Sequence, residues 1–278
     1  MTHSFSPNTS DHFRHIANAY SHFLIDMWGV VHNGVESLPG ALDCLENLKA
    51  HDKTILFITN SSRPAADLAH LVSGMGIHPG RHYDYIHSSG DAVIEGLQTL
   101  HPDLKGKPYY YLGDTVHGHP LLPFVSGDST PNLDQAAYIL FTALTPFTDM
   151  VLEEALKLNL PLICANPDVV AIHGKNLSYC PGLAAQKYEK QGGNVIYYGK
   201  PYPPIYESAL KKMGSPSLKN VVAVGDGLHT DIQGAQTMKI DSVLIHGGIH
   251  QGDSLEILQK KFQTENIYPH YILPRFCW

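Results

Sequence analysis

FLIDMWGV, residues 23–30, sets an unbroken apolar run, Phe23-Leu24-Ile25, directly against a carboxylate, Asp26. A run without polar alternation reads as a strand covered on both faces, the pattern of a parallel sheet. An acidic group at the end of such a strand is costly to desolvate unless a positive charge meets it. The same grammar recurs three times. Ile55-Leu56-Phe57-Ile58 leads into Thr59-Asn60-Ser61-Ser62, Val195-Ile196-Tyr197 into Gly199-Lys200-Pro201, and Val221-Val222-Ala223-Val224 into Gly225-Asp226-Gly227, with Asp231 beyond.

Strands are expected at 22–31, 54–60, 83–88, 194–199, 220–225 and 241–246. Helices are expected at 40–50, 64–74, 90–100, 203–213, 230–238 and 253–262. This alternation predicts an α/β fold with a doubly wound, parallel, Rossmann-like sheet. In such sheets ligands sit beyond the carboxyl ends of the strands, where all four motifs fall. The stretch between Thr59 and Lys200 is far longer than one crossover needs. It carries its own strands at 109–113, 136–144 and 161–165 and helices near 148–158 and 182–191, with a Gly-, Pro- and Asp-rich loop at 114–134. The economical division is a core of residues 1–95 and 194–278 and an inserted α/β module of residues 96–193.

Composition narrows the function classes. A formal net charge of −7 argues against a nucleic-acid partner, which needs a basic footprint. No apolar run reaches the length of a membrane span, and the opening MTHSFSPNTSDHFRH does not read as a secretory leader. Cys44, Cys164, Cys180 and Cys277 are widely spaced, so neither a thiolate metal site nor a disulfide framework is expected, and a cytoplasmic location is. The 18 histidines are scattered without HEXXH spacing. His246 and His250 are separated by a Gly247-Gly248 turn, and most of the histidines read as structural.

The motifs together supply the parts of phosphoryl-transfer chemistry. Asp26 is placed as a carboxylate nucleophile. Thr59, Asn60 and Ser61 precede a helix whose start is marked by Arg63-Pro64, and hydroxyls with free N–H groups at a helix start cradle phosphate. Lys200 can neutralise charge on the transferring group. Asp226 and Asp231 flank a strand-to-helix turn, and carboxylates that close repel one another unless a cation lies between them. Mg²⁺, with its preference for oxygen ligands, suits that role.

These residues resemble the haloacid dehalogenase superfamily, and DMWGVVHNG, ITNSS, GKP and GDGLHTDIQGA resemble its nitrophenylphosphatase-like branch, subfamily IIA. That branch carries an α/β cap between its second and third motifs, and ANPD (165–168) and CPGLAA (180–185) resemble cap segments. The resemblance implies a Mg²⁺-dependent phosphatase acting on a small phosphorylated metabolite through an aspartyl-phosphate on Asp26. It implies Mg²⁺ held by Asp26, Asp226 and the backbone carbonyl of Trp28, with Asp231 in support. Thr59 and Lys200 would hold the phosphoryl oxygens, and Asn166 and Asp168 would lie on the cap loop facing the substrate. A cap-mediated homodimer also suits the resemblance.

One position departs from the family pattern. Family phosphatases place a second Asp two residues after the nucleophile as general acid and base, and here that residue is Trp28, whose indole is only a donor. Losing positioned acid–base catalysis costs about 10²–10⁴ in rate, or roughly 3–5 kcal/mol of barrier. His32 is a candidate surrogate acid, because it follows the motif closely and titrates near neutrality. Trp28 could also pack under the cap or stack on an aromatic substrate. The alternative reading is a catalytically impaired phosphate-binding or regulatory protein. A response-regulator receiver fits worse, because its acidic pair comes first, and a dinucleotide-binding enzyme would need GxGxxG after the first strand.

Overall fold

The computed structural model describes residues 7–9, 12–173 and 176–278, and the side chains of 172–177 lie outside that description. So does most of the opening segment read above as lacking a leader. Strands form at Asn8–Thr9 (β1), His22–Ile25 (β2), Thr54–Thr59 (β3), Tyr85–Ser88 (β4), Tyr109–Leu112 (β5) and Tyr138–Phe141 (β6). They continue with Leu162–Cys164 (β7), Val170–His173 (β8), Asn176–Tyr179 (β9), Val195–Tyr197 (β10), Val221–Gly225 (β11), Asp241–Ile245 (β12) and Tyr271–Leu273 (β13).

Among the described residues, the main sheet runs in the order β1-β13-β12-β11-β2-β3-β4, with every pair parallel. The apolar runs end up buried on both faces: Phe23, Leu24 and Ile25 in β2, Ile55 to Ile58 in β3, and all of β11. Helices 41–50, 65–73, 89–99 and 203–212 alternate with the strands, as the periodicity predicts. Helix 89–99 opens on a capping box in which Ser88 and Asp91 satisfy each other's backbone N–H groups. Registers set the chemistry. Val224 pairs with Ile25, so Asp26 and Asp226 leave adjacent central strands at the same edge, with Thr59 at the end of the next strand.

A second parallel sheet, in the order β10-β7-β6-β5, is built from the long stretch between the second and third motifs. β8 and β9 form a separate antiparallel pair that follows β7 in the chain. Two boundaries of the sequence-based division move. Residue 96 lies inside helix 89–99, which packs on the main sheet, so the insert cannot begin there. Residues 195–197 form a strand as expected, but they pair with β7 of the second sheet. Val195 and Tyr197 pack with Leu162 and Tyr188 there, a short apolar stretch that the insert's own helix 181–190 covers. We therefore propose that the insert runs from about Leu100 to Tyr197.

The two sheets share core. Leu24, Leu56 and Ile58 of the main sheet belong to one apolar cluster with Tyr138, Leu140, Ile163, Ala165 and Tyr198. Insert and core are thus held by buried area as well as by two chain crossings. Leu140→Ala, at a fully buried position of this cluster, is expected to lower the unfolding free energy by about 2–5 kcal/mol. Urea unfolding reads this directly, and a loss below about 1 kcal/mol contradicts the shared packing.

Candidate active site

At the carboxyl edge of the main sheet lies a cleft of about 750 Å³ lined from both units. The core contributes Asp26, Trp28, Thr59, Asn60, Ser61, Lys200 and Asp226, and the insert contributes Asn166, Asp168 and Tyr197. Of the residues named from the sequence, Asp26, Trp28, Thr59, Asn60, Ser61, Asn166, Asp168, Lys200 and Asp226 line it, Asp231 lies against Lys200 behind them, and His32 is not in its lining.

Lys200 is the hub, only 2% exposed. Its Nζ lies 2.8 Å from Asp26 Oδ1 and donates to Asp231 Oδ1 at 2.7 Å. Burial alone would lower the ammonium's pKa. Asp231 and Asp26 overcome that and hold it well above the usual lysine value, so it stays charged. Asp26 Oδ1 also accepts the Met27 N–H at 2.8 Å, which fixes the carboxyl plane. Burial pushes the Asp26 carboxyl well up, Lys200 pulls it down, and Asp231 and Asp226 push it up again.

Oxygens of Asp26, Asp226 and Asp231 lie within 4.8 Å of one another. Three buried carboxylates against one ammonium leave an excess of negative charge. Burial, and then Asp231, push the Asp226 carboxyl up to about 7, against the Ile249 N–H at 2.9 Å and Lys200. Such a cluster, all oxygen and net negative, fits a hard divalent cation. The backbone crowds Asp226 closely. A Cβ on Gly29, which stands at φ +77°, or on Gly248 would collide with its carboxylate.

Asp231 sits within that cluster, yet its own bonds point to a positioning task. Beyond the Lys200 contact, its Oδ2 accepts from Gly227 N at 3.1 Å and Thr230 Oγ1 at 3.2 Å. It lies in a π-helical turn, Leu228–Ile232, where the sequence suggested an ordinary helix start. π-turns often mark functional sites, and this one carries the carboxylate back onto the lysine.

Thr59 and Ser61 line the cleft; Thr59 Oγ1 accepts the Ser61 N–H at 3.3 Å and keeps its own proton to donate. Asn60 differs from the expected phosphate donor. Its Oδ1 accepts Lys200 N–H at 2.6 Å, while its Nδ2 donates to Lys200 O at 3.0 Å and to Asp168 Oδ1 at 2.8 Å. With those groups occupied, Asn60 ties the second motif to the lysine loop and to the insert. Asp168 is accordingly a tethered residue, its carboxyl raised by burial against the pull of Lys200 and Asn60. Asn166 faces the cleft, and its Oδ1 accepts the Asp168 N–H at 3.1 Å.

His32 does not serve as the surrogate acid. It is buried edge-on to Trp28, with ring centroids 5.2 Å apart, and its Nδ1 accepts the Gly34 N–H at 3.0 Å. Burial lowers its pKa to about 4, so at neutral pH it has no extra proton to give. Trp28 itself is half-buried in the cleft wall.

A parallel α/β core with a capped, carboxylate-rich cleft around one lysine defines a class of hydrolase. A family model described as haloacid dehalogenase-like hydrolase matches residues 23–117, and one described as HAD-hydrolase-like matches residues 197–276. Together they span more than half of the chain, which belongs to the haloacid dehalogenase superfamily, subfamily IIA. The chain is 28% identical over 265 residues to the dihydroxyacetone phosphatase of Corynebacterium glutamicum, covering 92% of this chain and 91% of that protein. It is 26% identical over 250 residues to the ribonucleotide monophosphatase NagD of Escherichia coli K12, covering 88% and 94%. The crystal structure of a haloacid dehalogenase-like hydrolase from Brucella suis 1330 superposes with a TM-score of 0.82 at 27% identity, covering 96% of this chain and 99% of that one.

The Asp226 environment makes a pH prediction. Without a cation, Asp226 is protonated in the folded protein up to about pH 7 but ionised in the unfolded chain above its ordinary value of 3.8. Its contribution therefore lowers stability as pH rises through that window. The chelated protein is expected to lose more melting temperature between about pH 5 and pH 7.5 than Asp226→Asn does. Equal slopes in the two proteins contradict this environment.

Proposed function

We propose that this hydrolase is a Mg²⁺-dependent phosphatase of small phosphorylated metabolites, working through an aspartyl-phosphate on Asp26. The observation that supports the reading is the convergence of Asp26, Asp226 and Asp231, with the Lys200 ammonium against Asp26 and Asp231, beside the cleft. The Corynebacterium glutamicum and Escherichia coli relatives named above are phosphatases, which supports the reading and gives no support to a catalytically impaired binder.

Asp26, whose Oδ1 is steadied by Met27 N–H and Lys200, presents its other oxygen to phosphorus. The Thr59 hydroxyl and the Lys200 ammonium meet the phosphoryl oxygens as charge redistributes over them. Asp26, Asp226 and the Trp28 carbonyl would hold the cation, with Asp231 beside them holding Lys200 in place. When bound, Mg²⁺ supplies charge neutralisation at the phosphoryl group. The insert shields the cleft from water, and Asn60 with Asp168 fastens it at the level of the reacting groups. Exposed Phe147 and Met150 on the insert give apolar area for a homodimer, and the sparse, widely spaced cysteines suit a cytoplasmic setting. Among the described residues, no helix is long and apolar enough to cross a membrane.

Asp26→Asn is expected to abolish Mg²⁺-dependent release of nitrophenolate from 4-nitrophenyl phosphate while leaving the melting curve cooperative. Retained turnover removes Asp26 from its role. Because Trp28 cannot protonate a leaving group, aryl and acyl phosphates are expected to react about 10²-fold or more faster than alkyl phosphates. Comparable rates across leaving groups of widely different basicity contradict the missing-acid argument.

A further inference from the structure

We propose that His119 is a positioning residue through which the insert sets the loop that receives the phosphoryl group. The inference rests on the phosphatase reading above and deepens it, by naming how the insert reaches the phosphate end of the substrate.

Thr59, Asn60 and Ser61 line the cleft, and Ser62 follows them. Ser62 is buried, and the partners of its hydroxyl both come from the insert. Its Oγ lies 3.0 Å from His119 Nε2 and donates to the Thr142 carbonyl at 3.5 Å. The direction of each bond follows from the ring. The Leu121 N–H donates to His119 Nδ1 at 3.1 Å, so the lone pair of the neutral imidazole is on Nδ1 and its proton on Nε2. His119 therefore donates to Ser62 Oγ, which keeps its own proton for Thr142. Burial, and then the Arg63 charge, lower the His119 pKa to about 4 against Asp67 and Asp114, so the ring is neutral at pH 7.

Both ends of this chain of bonds are anchored. Leu121 is fully buried and belongs to the apolar cluster that the two sheets share, so the backbone presenting His119 is fixed. Thr142 directly follows β6, and its Oγ1 lies 3.0 Å from the Tyr111 hydroxyl of β5. The core holds the neighbouring residue as closely. Ser61 O accepts the Gly90 N–H at 3.2 Å, and Ser61 Oγ accepts the Arg63 N–H at 3.2 Å. A Cβ on Gly90 would collide with the Ser62 carbonyl, so helix 89–99 leaves the loop no room to retreat.

The insert thus grips the loop at two points, Asn60 through Asp168 and Ser62 through His119. The second grip fixes the chain direction immediately after Ser61, and with it the hydroxyls that Thr59 and Ser61 offer to phosphate. It acts on bound phosphate before and during the reaction alike, so its loss raises KM more than it lowers kcat.

The test is steady-state kinetics of His119→Phe, Ser62→Ala and the double variant with 4-nitrophenyl phosphate and Mg²⁺, with inorganic phosphate as competing inhibitor. Each single change is expected to raise KM and the phosphate inhibition constant roughly 3–10-fold, with kcat within about 2-fold of wild type. The double variant is expected to match the single ones, because both remove the same bond. His119→Gln, whose amide N–H can reach Ser62, is expected to stay close to wild type. Melting temperatures are read alongside. A lower melting temperature with unchanged KM and inhibition constant marks a contact that only stabilises the fold, and overturns the proposal. Multiplying effects in the double variant, or equal losses in His119→Phe and His119→Gln, overturn it too. A wild-type protein that neither releases nitrophenolate nor binds inorganic phosphate overturns the phosphatase reading itself, whereas an active wild type with unaltered variants overturns only the role of His119.

Discussion

A single ammonium, that of Lys200, is buried between Asp26 and Asp231, and the architecture around it follows from that fact. Taking such charges out of water is costly, and leaving any one of them unpaired costs more than the pair contributes. The partners come from distant stretches of chain: Asp26 from the end of β2, Asp231 from the turn after β11, and Lys200 from just beyond the last strand of the insert. The site therefore exists only when the main sheet has closed around β2 and β11 and the insert has folded back upon it. Asn60 completes the knot by pairing with both backbone groups of Lys200 and with Asp168.

That arrangement also explains why the cleft is set up for phosphate chemistry. The carboxylates outnumber the ammonium, which suits the pocket to a cation, and on the proposed reading the lysine and the hydroxyl of Thr59 would meet the opposite charge of a phosphoryl group. Shared apolar packing between the sheets holds the insert over the reacting atoms. Fixed dipoles in a water-poor cleft need little reorganisation when charge moves, which is where electrostatic catalysis gains most.

Much of this was legible before any coordinates. Asp26, Thr59, Lys200 and Asp226 each end a continuous apolar run, and a charged or hydroxyl residue in that place announces itself. What escaped the sequence was set by tertiary contact. β10 reads like any other buried strand, and only its neighbours decide which sheet it joins. β1 and β13 are too short to carry a periodic signal. Asn60 looks like a phosphate donor until its partners are seen, and His32 looks titratable until its burial is. His250 lay among scattered histidines, and nothing in HGGIH foretold that Asp253 would engage one ring nitrogen while the other is buried without a partner among the described residues. The π-turn at Asp231 is likewise a product of packing, with the buried Tyr206 hydroxyl against the Thr230 carbonyl at 3.3 Å.

The most direct measurement is a crystal structure of the protein with Mg²⁺ and trifluoroberyllate, a mimic of phosphorylated aspartate. The account predicts beryllium bonded to a carboxylate oxygen of Asp26, fluorides facing Thr59 and Lys200, and the cation between Asp26 and Asp226. Beryllium bonded elsewhere, or a cation that leaves Asp226 untouched, would contradict it.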